Sequence, residues 1–268
     1  MSQHQRVCIF CGGYGLTKEH IWPKWCAPLF EHRKAEEQLQ INMQSIGDGA
    51  LISAPSYVKR PGSVITKKLR VVCKPCNNRW MGSLEAAVMP IMTPLILAQP
   101  SLLSLADQRK VAEWIALKVM VAEHSEAGNH VTSECDRRAF RDALQIPQGF
   151  EARIGRCGKG RWKACFFRVA AIRAPLRTDE PNSPPKNIQS IVFGVGELLL
   201  FAFTSPDRDL TIRSDIANLL PTVWPLSGME LSWPPTDAIS EQQADNLAHG
   251  LEQLMVRPDG ARLPLPRI

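Results

Sequence analysis

The sequence predicts an α+β chain: a small cysteine-stapled N-terminal module, then helices, then an antiparallel β-sheet. Three observations carry this. Two Cys-x-x-Cys doublets, "CIFC" (Cys8, Cys11) and "CKPC" (Cys73, Cys76), lie far apart in the chain. A middle stretch repeats apolar residues every three or four positions, the helical period. Beyond Pro147 the pattern changes to short runs of Val, Ile and Phe broken by glycine.

Each doublet presents two thiolates on one side of a tight turn, and two such turns complete the tetrahedral sulfur shell that Zn²⁺ favours. The neighbours agree. Gly12 and Gly13 follow the first doublet, and Pro75 lies inside the second, where a helix can begin. Eight cysteines in a small secreted chain would suggest disulfides, but paired spacing in an intracellular chain of 268 residues points to structural Zn²⁺ on Cys8, Cys11, Cys73 and Cys76. Cys26, Cys135, Cys157 and Cys165 lack ligand spacing and read as core or incidental.

From Arg79 to Leu97 the positions Trp80, Leu84, Val88, Ile91 and Leu95 predict a helix that Pro90 and Pro94 kink or end. "SLADQRKVAEWIALKVMVAEH" predicts a longer helix with Leu105, Val111, Ile115, Val119 and Ala122 on one face and Trp114 and Met120 in the core. "TSECDRRAFRDALQI" predicts another, capped by Ser133. "FEARIGRC" and "RWKACFFRVAAIR" read as a hairpin around "GKGR", and "IQSIVFGVGELLLFAFT" as a second hairpin around "GVGE". The stretch "RTDEPNSPPKN" reads as a loop, and "SEQQADNLAHGLEQLM" as a helix whose Ser240 and Gln243 form a capping box.

The composition, 44% hydrophobic, suits one large core or two smaller ones. No apolar run is long enough for a membrane span, and "MSQHQRVCIF" lacks the apolar core of a secretory signal, so a cytoplasmic protein with no membrane partner is expected. The net charge of +6 is unevenly spread. Residues 1–80 carry 12 Lys/Arg against 5 Asp/Glu, and residues 150–177 carry 8 against 1, whereas the stretches between and after are neutral to acidic. Two separated basic segments suit a polyanion such as nucleic acid, although a solvated basic face would look the same. In the second segment Arg153, Arg156, Lys159, Arg161, Lys163, Arg168 and Arg173 flank or occupy the expected hairpin, and Lys159, Arg161 and Lys163 are the candidate phosphate contacts.

Between the doublets lies "LTKEHIWPKW", and the second doublet continues as "CKPCNNRWMGSLE". An acid–His pair followed by an apolar residue and a proline, set between two Cys-x-x-Cys knuckles, resembles the zinc-stapled branch of the HNH endonucleases, the ββα-metal superfamily. The matching residues are Glu19, His20, Ile21 and Pro23, with Cys73, Cys76 and Asn77, and the likeness covers about residues 6–85. It implies a ββα-metal (HNH) nuclease module over residues 1–85 and leaves residues 86–268 as a mixed helical and sheet domain. It further implies that His20 is the general base, that Glu19 and Asn77 hold a catalytic Mg²⁺ or Mn²⁺, and that the substrate is a nucleic acid, foremost DNA.

Two residues depart from the family pattern. Lys68 stands where many members have an asparagine before the second knuckle, and Asn77 stands where the final histidine is familiar. The connection from Trp25 to Leu69 is also long enough for inserted structure. The "CNNRWMGSLE" stretch further resembles bacterial HNH proteins of uncharacterised role, a family active in defence against foreign DNA, in mobile elements and in toxins. Three readings stay open: a metal-dependent endonuclease, a catalytically inactive zinc-stapled nucleic-acid-binding protein, and a protein-interaction subunit using zinc only structurally. Without the resemblance, Glu19–His20 reads as an exposed polar pair and Asn77 as a helix-start residue.

Overall fold

The structure, a computed structural model, describes residues 6–29, 37–42, 45–46, 51–52, 56–61, 66–125, 130–158, 164–173, 186–206 and 219–248. Strand β1 (Leu16–His20) follows Gly15, whose φ of +78° turns the chain out of the first Cys-x-x-Cys knuckle. It ends at Ile21–Trp22, both fully buried. The long connection after it holds a 3₁₀ turn (Lys24–Leu29) and two antiparallel ladders. Strand β2 (Glu37–Asn42) pairs with β5 (Ser56–Pro61), and β3 (Ser45–Ile46) with β4 (Leu51–Ile52).

Strand β6 (Lys68–Cys73) returns antiparallel to β1 in the register Leu16↔Cys73, Thr17↔Val72, Lys18↔Arg70, Glu19↔Leu69 and His20↔Lys68. A bulge between Thr17 and Lys18 absorbs Val71. The chain then passes without a loop into α1 (Lys74–Cys76), a π turn (Asn77–Met81) and α2 (Gly82–Ile96). Cys73 is the extended N-cap and Pro75 sits in the first turn, where a missing N–H costs nothing. Neither Pro90 nor Pro94 ends α2, which stops only at Ile96. Burial of Leu84, Val88, Met92, Leu95 and Ile96 along one side outweighs the two lost hydrogen bonds.

Helix α3 (Leu105–Ala122) is capped by reciprocal bonds between Ser104 and Asp107. It is buried at every position from Val111 to Ala122, so it is a central helix and not one with a single apolar face. Leu105, expected on that face, is exposed, while Trp114 and Met120 are core residues as expected. Helix α4 (Glu134–Ala143) begins at the Ser133 cap that the sequence marked.

The main sheet has five antiparallel strands in the order β12-β8-β11-β10-β9. They are β8 (Phe150–Arg156), β9 (Ala164–Arg173), β10 (Lys186–Val195), β11 (Leu198–Thr204) and β12 (Thr222–Trp224). The hairpin around "GVGE" is present as β10–β11. Gly196 is required there, because its φ is +60° and an added Cβ would sit 2.4 Å from the Ile96 carbonyl oxygen at the end of α2. The hairpin expected around "GKGR" is not formed. β8 pairs with β11 and β12, β9 pairs with β10, and two strands separate them. All seven residues of β11 are buried, so it must lie inside the sheet with a neighbour on each side.

Alternate residues of β11 face two cores: Leu198, Leu200 and Ala202 the larger one, Leu199, Phe201 and Phe203 a second one with α5 (Glu241–Ala248). Helix α5 starts with the expected box between Ser240 and Gln243. A separate two-stranded sheet of β7 (Ser101–Leu103) and β13 (Leu231–Trp233) packs Leu103 and Trp233 into the larger core. The larger core runs unbroken from Cys8 and Trp22 through α3 to the sheet, with Trp22 packed 6.4 Å from Trp114 and 5.7 Å from Phe193. The boundary expected at residue 85 falls inside α2.

Past α3 the imidazoles of His124 and His130 stack with centroids 4.0 Å apart. Burial, then the charges of His130, Arg137 and Arg168, push His124 down to about 3. The folded state therefore keeps His124 neutral where the unfolded chain binds a proton. Stability from this site is complete above about pH 6.5 and is lost as the pH falls toward 3, at no more than about 1.4 kcal/mol per pH unit. Urea unfolding at pH 7 and pH 5 should show a smaller loss on acidification for His124→Leu than for the parent chain. Equal losses would contradict the assignment.

Candidate metal centre and hairpin face

The four cysteines expected to act together do meet. The sulfurs of Cys8, Cys11, Cys73 and Cys76 all lie within 4.8 Å of one another, with Cys11 and Cys73 at 3.5 Å. Four thiolates around one Zn²⁺ at about 2.3 Å would sit about 3.8 Å apart, so the cluster fits a single ion. Backbone bonds shape the first knuckle: Cys8 N–H donates to Gly13 O (2.8 Å) and Gly12 N–H to Cys8 O (2.9 Å), with Gly12 at φ +70°. The knuckle is fastened from two sides. Ile9 N–H donates to Val71 O on β6 (3.0 Å), and Arg137 Nε from α4 donates to Ile9 O (3.0 Å). Phe10 packs edge-on against Trp80, which packs against Phe140 of α4.

Burial pushes the Cys73 and Cys76 thiols up. Burial acts the same way on Cys11, but the Gly13 N–H and the neighbouring thiols outweigh it and bring Cys11 down to about 7. Cys26, read as core, is buried and pushed up to about 12 by that burial.

Strand parity separates the other two expected site residues of β1. Successive side chains on a strand point to opposite faces, so Glu19 and His20 cannot share one. Glu19 points inward and is 5% exposed. Its Oε1 accepts from Lys118 Nζ of α3 at 2.7 Å. The same ammonium donates to Glu85 Oε1 of α2 (2.6 Å) and to the His20 carbonyl oxygen (3.1 Å). His20 points to the other face, where it stands opposite Lys68 and beside Lys18 and Arg70, themselves a cross-strand pair. Lys18, Lys68 and Arg70 are exposed and His20 is half-buried. Burial, then the charges of Lys68, Lys24 and Lys118, lower the His20 pKa, and Glu85 opposes this. The imidazole is held in its neutral, proton-accepting form.

Asn77 opens the π turn, and its Nδ2 donates to Thr17 Oγ1 (3.1 Å), which donates to Val72 O (3.2 Å). It thus ties the helix to both strands, two helical turns before Glu85. Glu19 and His20 meet at Lys118, while the bond recorded for Asn77 lies at Thr17. As a pair, Glu19 and Asn77 are poorly set for a divalent ion in this arrangement, because the Lys118 ammonium already occupies Glu19 Oε1 and the Asn77 amide is turned to Thr17. Lys159, Arg161 and Lys163 lie outside the described residues. Of their basic neighbours, Arg153 pairs with Glu151, Arg156 with Glu197 (2.9 Å), and Arg168 is buried against Gln189 (2.7 Å).

No family model, curated protein or solved structure matches the chain. Among the described residues no helix is long and apolar enough to cross a membrane.

Sequence reasoning missed Lys118, Glu85 and the Lys18/Arg70 pair. A signal existed for the first: Lys118 interrupts the apolar run "WIALKVMVA", and a lysine there must find a buried carboxylate. Simple alternation along "LTKEH" would also have separated Glu19 from His20.

Replacing Cys73 or Cys76 by serine should abolish metal binding at the four-thiol cluster and unfold the hairpin and knuckles together, since ligand loss removes folding free energy. Metal analysis and circular dichroism of the purified variants check this. A folded variant with unchanged metal content would contradict it.

Proposed function

We propose that the chain binds nucleic acid, foremost DNA, across the open face of β1 and β6 and hydrolyses its phosphodiester bonds there with His20 as general base. The observation that carries this is the position of His20 on a face with Lys18, Lys68 and Arg70, backed by a four-thiol cluster at the other end of the same hairpin. The strand–strand–helix order and the cysteine frame support the likeness to HNH endonucleases, with Zn²⁺ as the structural ion of Cys8, Cys11, Cys73 and Cys76. A role in defence against foreign DNA or in a mobile element accords with that likeness.

The chemistry follows from the face. Lys68 and Arg70 draw a phosphate against the strands and offset its charge. His20 takes a proton from a water molecule, whose oxygen attacks phosphorus. The bond from phosphorus to one ester oxygen breaks, and that oxygen leaves as a hydroxyl after receiving a proton from solvent or the imidazolium. The Mg²⁺ or Mn²⁺ implied at Glu19 and Asn77 would meet Lys118 on Glu19, so no step is assigned to it. The same ion pair favours the second reading, a zinc-stapled nucleic-acid-binding protein without cleavage.

Incubating the purified protein with supercoiled plasmid and with RNA, with and without Mg²⁺ or Mn²⁺, separates the two. Cleavage by the parent chain should fall by roughly 10² or more in His20→Ala while binding is kept. Binding without any cleavage would leave the second reading, and no salt-dependent binding would leave the protein-interaction reading.

Charge removal locates the interface. A triple change of Lys18, Lys68 and Arg70 to serine should flatten the slope of log affinity against log salt by roughly 0.7 to 0.9 per lost contact. An unaltered slope here, with a reduced slope for Lys159, Arg161 and Lys163 replaced together, would move the interface to the second basic segment.

A further inference from the structure

The buried cluster behind His20 is organised around a lysine. Three oxygens, Glu19 Oε1, Glu85 Oε1 and the His20 carbonyl, lie 2.6 to 3.1 Å from Lys118 Nζ. They take all three protons of the ammonium. The Lys118 side chain is 1% exposed and its Nζ lies 5.9 Å from the Trp114 ring centre. The stem rises from α3, whereas the oxygens belong to β1 and α2. Two carboxylates and a carbonyl converging on one point form the kind of oxygen set that hard divalent cations use, at distances about 0.5 to 1 Å longer than Mg²⁺ or Mn²⁺ would need.

We infer that Lys118 is a built-in cation at this oxygen set, holding Glu19 closed to divalent ions, so that helix α3 and not the metal supply sets the cation requirement of the His20 site. Lys118 is a positioning residue: it is too buried to reach a phosphate on the open face, and it acts on His20 through the carbonyl and the strand. Glu85 is the wettest member, with 25% of its side chain exposed, and marks the side from which an ion would enter once the ammonium is gone. The inference rests on the proposed function only in naming this oxygen set as the back of the His20 site. Ion binding is measured without any cleavage, so failure of the nuclease reading would leave it standing.

The test is Mn²⁺ binding to the full chain, followed by electron paramagnetic resonance. Lys118→Met keeps an unbranched apolar stem and leaves two facing carboxylates without a cation. It should gain one Mn²⁺ site about a hundredfold or more tighter than any in the parent chain, matching the energy scale of an unpaired buried charge. The site should vanish in the Lys118→Met, Glu19→Gln double variant. A purely structural lysine would give a weakened protein with no such gain, and a folded Lys118→Met that binds no extra Mn²⁺ overturns the inference. A Lys118→Met chain that folds only with Mn²⁺ supports it. The parent chain supplies an arm that needs no lysine variant: it should bind no Mn²⁺ that Glu19→Gln removes, and such binding would overturn the inference even if Lys118→Met never folds.

Discussion

Meeting of four thiols is the constraint on which the rest depends. Cys11 and Cys73 are 62 positions apart in sequence, yet their sulfurs lie 3.5 Å from each other. That closure pins the start of β1 to the end of β6, and with it the register of the hairpin. A slip of one residue would turn every side chain of β1 to the opposite face, placing Glu19 in solvent and His20 against α3. Held as it is, the strand sends a carboxylate inward and an imidazole outward from adjacent positions. The inserted ladders between β1 and β6 do not disturb this, because the thiols and the Ile9–Val71 bond fix the hairpin at its cysteine end.

The inward carboxylate creates a second demand. A lone buried charge costs several kcal/mol, so Glu19 must have a partner. Lys118 meets that demand from the central helix, and Glu85 joins from α2. Burial tends to lower the Lys118 pKa, but the two carboxylates outweigh it and raise it, so the ammonium stays charged. Deleting one partner of such a group costs about 3 to 5 kcal/mol. The triad thus locks β1, α2 and α3 into one unit, in keeping with the continuous core through Trp22, Trp114 and Phe193. On the outer face the demand is reversed: clustered Lys18, Lys68 and Arg70 repel one another and invite an anion.

Local signals were legible and distant pairings were not. The Cys doublets, the caps at Ser133 and Ser240 and the "GVGE" turn each depend on residues a few positions apart, and all are found. The α+β class follows from the same local patterns. The partners of β8 depend on which strand must be central, and only the burial of β11 on both faces decides that. The passage of α2 through Pro90 and Pro94 depends on packing that a propensity scale does not contain. At the site, Glu19, His20 and Asn77 could be picked out as polar residues in a cysteine frame. Their partners Lys118 and Thr17 come from contacts across 99 and 60 positions of sequence.

The outward face of the hairpin, with His20 among cations, is the centre of this account, and a nuclear magnetic resonance titration tests it most directly. A short DNA duplex added to isotope-labelled full-length protein should shift the amides of Leu16–His20 and Lys68–Cys73 and the His20 imidazole, in proportion to occupancy and less at higher salt. Shifts confined to other strands, with β1, β6 and His20 unmoved at saturation, would contradict it.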